Sequence, residues 1–176
     1  MLIHKGKTID LRDADSVELC MSWNSFEDFD LLAVYEAQDG SQGIIYFTEP
    51  GSLEEEPYIR LHDDIDFSVI EGENTEKITV RKMAMKWILI LGWSFERVEE
   101  SNSLNFVDSG MKLSLRNEDQ TVETMSSELG IGNVCLFGRL QKDQRGILQF
   151  HNILQCFMMP PLGDIEELYS HLPTKQ

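Results

Sequence analysis

Val17-Glu18-Leu19-Cys20-Met21-Ser22-Trp23 is the stretch that decides how this chain folds. Val17, Leu19, Met21 and Trp23 alternate with Glu18, Cys20 and Ser22. Successive side chains of an extended strand point to opposite faces, so this period of two predicts a half-buried strand. The same period recurs at Leu31 to Tyr35, Ile44 to Phe47, Asp66 to Ile70, Lys77 to Arg81 and Trp87 to Phe95. It returns at Met111 to Leu115, Thr121 to Met125, Val134 to Leu140 and Ile147 to Gln155. Turn chemistry separates the runs: Asp39-Gly40, Pro50-Gly51, Glu71-Gly72, Asn117-Glu118-Asp119, and Lys142 to Gly146. Trp87-Ile88-Leu89-Ile90-Leu91 is apolar on both faces, which predicts a central strand. Roughly nine or ten short strands with frequent turns predict an all-β fold, an antiparallel β-sandwich.

The tail departs from this period. After Pro160-Pro161, Asp164 is placed to cap a short C-terminal helix that carries Ile165, Leu168 and Leu172 on one face. The expected organisation is a sandwich over residues 1–159 and a Pro-linked helix over 160–176, packed on the same domain. No internal repeat and no low-complexity linker interrupts it.

A chain of 176 residues with 41% hydrophobic content can bury a real core and is not expected to be disordered. A net charge of −16 makes nucleic acid and anionic membrane surfaces poor partners, because phosphates are repelled. The apolar run from Trp87 to Leu91 is far too short for a membrane span. Near the N-terminus Lys5 and Lys7 are not followed by an apolar segment, so no secretory signal is expected. Cys20, Cys135 and Cys156 are odd in number and form no CxxC pair, which fits a reducing cytoplasm better than a disulfide scaffold.

Between Asn24 and Glu76 fifteen Asp and Glu residues face a single basic residue, Arg60. Packed like charges weaken a compact state, so something must offset them. The options are solvation on spread-out loops, a basic partner, or a bound hard cation. Asp28 and Asp30 lie at the entry to the Leu31 to Tyr35 strand; if the strand already includes them, both point to the same face, because residues two apart in a strand share one. Asp63, Asp64 and Asp66 form a second group, and Glu71, Glu73 and Glu76 a third around Gly72. Calcium takes six to eight oxygen ligands from flexible loops, whereas magnesium demands stricter octahedral geometry, so calcium suits this pattern better. The pattern is not an EF-hand: counted from Asp64, the glycine position is Val69 and the closing glutamate position is Thr75.

Two blocks resemble the tellurium-resistance TerD family, calcium-binding stress proteins of bacteria. Met21-Ser22-Trp23-Asn24 with Asp28-Phe29-Asp30-Leu31 is similar to the family's Gly-Trp-Asp segment and Asp-x-Asp-Leu-Asp strand start. His62-Asp63-Asp64 through Glu71-Gly72-Glu73-Asn74-Thr75-Glu76 is similar to its Gly-Asp-Asn and Gly-Asp-Asp-Glu calcium loop. Ile44 to Phe47 between the blocks, and Val134 to Leu140 after them, add to a resemblance spanning about Val17 to Gln155. It implies a β-sandwich holding calcium on loops at one end and a stress-response role without catalysis. It also implies partners among other stress or tellurium-resistance proteins. The ligand positions carried over are Asp28, Asp30, Asp63 and Asp64, with Glu73 as a conservative substitute. Leu32 stands where the family has a third Asp, His62 where it has Gly, and Glu73-Asn74-Thr75 where it has Asp-Asp-Glu. Each lost carboxylate removes a strong ligand, so one weakened site is expected in place of two.

Nothing else carries chemistry as well. No pair of acids is marked as one buried and one solvated, as glycoside hydrolysis requires. No GxSxG occurs, and no Ser or Cys has a recognisable His partner. The cysteines and His151 lack the close spacing of a structural zinc site; Cys20 and Cys135 read as small buried hydrophobes in strands. His62 reads as an exposed loop residue, and Trp87 and Trp93 as core. Met158-Met159-Pro160-Pro161 reads as a linker that packs the last helix, with a docking segment as the sharper alternative. The expectation is a non-enzymatic, cytoplasmic calcium-binding protein. The alternative is an acidic protein-interaction module that keeps the fold without metal.

Overall fold

Period-two alternation over 16–23 produces the expected strand, with Val17, Leu19 and Met21 buried inward. A computed structural model describes residues 1–12, 15–62, 74–118 and 120–173. In chain order the strands begin with β1 (Leu2–Ile3), β2 (Thr8–Asp10), β3 (Ser16–Trp23), β4 (Asp30–Glu36) and β5 (Gln42–Ile45). They continue with β6 (Gly51–Ser52), β7 (Ile59–Leu61), β8 (Asn74–Arg81), β9 (Trp87–Trp93) and β10 (Leu104–Asn105). The last are β11 (Lys112–Arg116), β12 (Thr121–Thr124), β13 (Ile131–Gly132), β14 (Val134–Lys142) and β15 (Leu148–Phe157). Three short helices, α1 (Phe95–Glu100), α2 (Phe106–Ser109) and α3 (Leu168–His171), and 3-10 turns at Ser126–Glu128 and Ile165–Glu167 complete the described elements. None of them is long and apolar enough to cross a membrane.

Two sheets face each other. One runs β1-β12-β11-β3-β8-β7-β6, the other β2-β15-β14-β9-β4-β5, and a two-stranded ribbon joins β10 to β13. Pairing is antiparallel throughout both sheets except between β1 and β12. The core between them takes Leu19 and Met21 from β3, Ile78 and Val80 from β8, and Leu113 from β11. Leu31, Ile88, Ile90, Phe137 and Phe150 meet these from the facing sheet. This is an all-β sandwich with a short C-terminal helix, as the alternation predicts.

The second sheet is apolar on its outer face as well. Leu32, Val34, Leu89, Leu91, Trp93 and Leu136 form a second buried cluster there, closed by Val98, Met159, Leu168 and Leu172. Central strand β9 therefore buries both faces, and Trp93 belongs to the outer one. Burial at about 25 cal/mol per Å² of apolar surface is what holds α1 and the tail on that face. Asn133 pins the tail: its amide donates to the Met159 carbonyl at 3.0 Å, and its oxygen accepts from Met159 N–H at 2.7 Å. Met159 is thus a packed linker residue, and Asp164 caps the last turn by accepting from Glu167 N–H at 3.2 Å.

Several local expectations are corrected. The strand beginning at Trp87 ends at Trp93, because the Ser94 hydroxyl accepts from Arg97 N–H and starts helix α1. The Ile44 to Phe47 run stops at Ile45, where Tyr46 and Glu49 exchange backbone hydrogen bonds of 3.1 and 3.0 Å in a tight turn. His62 is half-buried instead of exposed, its ring 2.7 Å from the Thr79 hydroxyl. Cys20 is half-buried on the outer face of β3, whereas Cys135 is fully buried. The expected strand from Asp66 to Ile70 lies outside the described residues.

Candidate functional site

One end of the sandwich gathers the first acidic block. There β3 finishes at Trp23, β4 begins at Asp30, β8 begins at Asn74 and β9 finishes at Trp93. Register makes the strand ends coincide: Trp23 lies opposite Asn74, and Asp30 opposite Trp93. The connection 24–29 is tied from three sides. Asn24 N–H donates to the Ser109 carbonyl at 2.9 Å, Trp23 Nε1 to the Glu27 carbonyl at 2.8 Å, and Asn74 Nδ2 to the Ser25 carbonyl at 3.2 Å. Gly110 completes this end. It closes α2 in the left-handed conformation, φ 65°, where an added Cβ would stand 3.0 Å from the Asn24 side chain.

The carboxylates here fall into two kinds. Glu27 is ion-paired with the Arg97 guanidinium from α1. Glu76 is buried, and its Oε1 accepts from Leu31 N–H at 2.8 Å, so its charge serves the joint between β8 and β4. Asp28 projects into solvent, and Asp30 is half-buried at the first position of β4. The condition for Asp28 and Asp30 to share one strand face, that the strand includes both, does not hold, because the strand begins at Asp30. Asp63, Asp64 and Glu73 lie outside the described residues. Among the described residues, no three His, Cys, Asp or Glu side chains are gathered so as to hold a metal ion.

Other acids of the stretch, among the described residues, lie elsewhere in the fold. Glu36 closes β4, six residues from Asp30 and so roughly 20 Å away along the strand. The Gln42 amide at 3.2 Å and Lys86 Nζ at 3.3 Å hold its carboxyl below the ordinary range. Asp39 is likewise held low by the Ser41 hydroxyl at 2.6 Å and Ser41 N–H at 2.9 Å. Glu54 meets Arg81 at 3.3 Å. Bases from outside the acidic segment therefore answer part of its charge, and the turn at Asp39 another part. A sequence count of fifteen acids against one base could not anticipate this, because the partners arrive through tertiary pairing.

Chemically, the described part of this end offers hard oxygen donors of the kind calcium prefers. Asp28 and Asp30 by themselves fall short of the six oxygen ligands that calcium takes. A cation there requires further oxygen donors.

No protein-family model matches the sequence, and no curated protein matches it. Solved structures do share its architecture. A homologue of the telluride resistance protein TerD from Streptomyces coelicolor A3(2) superposes with a TM-score of 0.60 at 10% identity, covering 84% of this chain and 92% of that one. The crystal structure of SAV2460, a protein of unknown function, superposes with a TM-score of 0.59 at 16% identity and the same coverage. At such identities the likeness concerns the fold, and the chain folds as a TerD-like β-sandwich.

Proposed function

We propose that this protein is a non-enzymatic, calcium-binding stress-response protein whose single site lies at the Asp28–Asp30 end of the sandwich. The observation that carries the reading is the tie between Asn74 and the Ser25 carbonyl, 3.2 Å. It brings the strand that follows the second acidic block against the loop that carries the first. Asp28 and Asp30 would supply carboxylate oxygens, with Asp63, Asp64 and Glu73 as the remaining donors. A calcium ion there would neutralise mutually repelling groups and link the β3–β4 and β7–β8 connections. Folding stability would then rise with calcium by mass action.

A second reading is an acidic interaction module that has kept the fold without metal. It is favoured by the engagement of two carboxylates at this end, Glu27 with Arg97 and Glu76 with the Leu31 amide. Partners in that case are basic proteins, with other stress or tellurium-resistance proteins as the candidates the resemblance suggests.

Thermal melting of chelator-stripped protein separates the two. Titration with calcium and then magnesium is expected to raise the melting temperature selectively with calcium, and Asp30→Ala is expected to abolish the rise. Curves that overlay at millimolar calcium would reject the metal reading in favour of the interaction module.

A further inference from the structure

Outside the acidic end, strands β14 and β15 set Cys135 directly opposite Cys156 in antiparallel register. The hydrogen-bond ladder fixes what kind of pair this is. Leu11 N–H donates to the Leu148 carbonyl and Asn152 N–H to the Lys7 carbonyl, so residues 148, 150 and 152 of β15 turn their backbone groups toward β2. Leu148 and Phe150 send their side chains into the core between the sheets, and Cys156 packs against that same core. In a strand of given direction, side-chain face and hydrogen-bonding edge go together, so Cys156 turns its backbone away from β14. On the facing strand the Asn133 carbonyl accepts from Ser94 N–H at 3.1 Å. Cys135, two residues later, therefore turns its backbone toward β9.

Cys135 and Cys156 are thus a non-hydrogen-bonded pair, the closer of the two pair types, with Cα atoms about 4.5 Å apart. A disulfide needs a Cα separation of roughly 4.4 to 6.8 Å. The thiols already interact. Cys135 S–H donates to the Cys156 sulfur, which also accepts from Gly130 N–H at 3.3 Å. Those two donors, the Cys135 thiol first, draw the Cys156 thiol down, while burial pushes Cys135 well up. Cys156 is half-buried and Cys135 fully buried, so the more reactive sulfur is also the more accessible one.

We propose that Cys135 and Cys156 form an oxidisable dithiol, closed by a peroxide into a cross-strand disulfide and reopened by a thiol reductant. In the first step the Cys156 thiolate attacks a peroxide oxygen. An S–O bond forms, the O–O bond breaks, and the departing hydroxide takes up a proton as water. The Cys135 sulfur then attacks the Cys156 sulfur. The S–O bond breaks, and hydroxide leaves as water with the Cys135 proton. Overall, two thiols and one hydrogen peroxide give one disulfide and two waters, with two electrons passing from sulfur to oxygen. Exchange with two reductant thiols reverses the reaction. In a reducing compartment the bond would be transient, in keeping with the odd cysteine count.

The test is to treat the reduced full chain with hydrogen peroxide, block remaining thiols by alkylation under denaturing conditions, and map peptides without reduction. The expected result is a Cys135–Cys156 cross-linked peptide pair that dithiothreitol reverses, with Cys20 still alkylated. Because Cys135 is buried, Cys156→Ser is the informative variant. It should leave Cys135 alkylatable after the same peroxide dose. Cys156 recovered as sulfinic acid beside a free Cys135, a cross-link to Cys20, or two alkylatable thiols at a dose that oxidises free cysteine would each overturn the proposal.

Discussion

Glu76 shows how a single acid can be read two ways. In the sequence it closes a run of carboxylates around a glycine, which suggests a loop ligand. In the fold it is an inward-facing residue of β8, buried at 7% exposure, with its oxygen on Leu31 N–H. The signal was present, since Glu76 is in phase with Ile78 and Val80 and so falls on the buried face. Charge density simply outweighed periodicity in that stretch. Replacing Glu76 by Ala strands a buried amide and should cost about 1–3 kcal/mol, measured by urea unfolding. Glu76→Gln keeps an acceptor and should cost clearly less. Equal losses for the two would show that the hydrogen bond is not what the side chain contributes. His62 and Cys20 differ from the sequence expectation for a related reason, because burial of a polar or small side chain depends on its tertiary neighbours.

Among the elements, the β14–β15 hairpin carries the most specific geometry. The Asp143 carboxylate accepts from Ile147 N–H at 3.0 Å and from Arg145 N–H at 2.8 Å, with the Arg145 guanidinium at 2.9 Å. Those donors, Ile147 N–H foremost, hold its carboxyl below the ordinary value of 3.8. A folded pKa below the unfolded one contributes stability that is complete above the unfolded value and fades as pH falls through the folded one. Asp143→Asn should therefore lower the melting temperature at neutral pH, with the gap to the parent closing below about pH 4. A gap that stays constant down the acid limb would contradict this. Further along, β14 shifts register between Leu136 and Gly138, and an added Cβ at 138 would collide with the His151 carbonyl. Gly138→Ala should cost about 1–3 kcal/mol as overpacking, read from the urea midpoint. The alternation of 134–140 predicted this strand but gave no sign of its bulge. Helix α1 was hidden in the same way, because Phe95 extends an apolar run that only the Ser94 cap and Glu96 interrupt.

Taken as one body, the protein carries the described acids of its sequence both at one end of the sandwich and away from it. Strand identity was readable because each face needs its own solvent, and a period of two expresses that directly. Which strand ends meet was not readable, since β3 pairs with β8 and β11 across long stretches of chain. The proximity of 24–30 to Asn74 therefore emerges from topology, and with it the candidate site. Calcium binding at that end makes a demand on the protein that the interaction reading does not. Isothermal titration of chelator-stripped protein with calcium measures it most directly. The account predicts one ion per chain, with the heat abolished in Asp28→Asn/Asp30→Asn and little heat from magnesium. No heat at millimolar calcium, or an unchanged isotherm in the double variant, would contradict it.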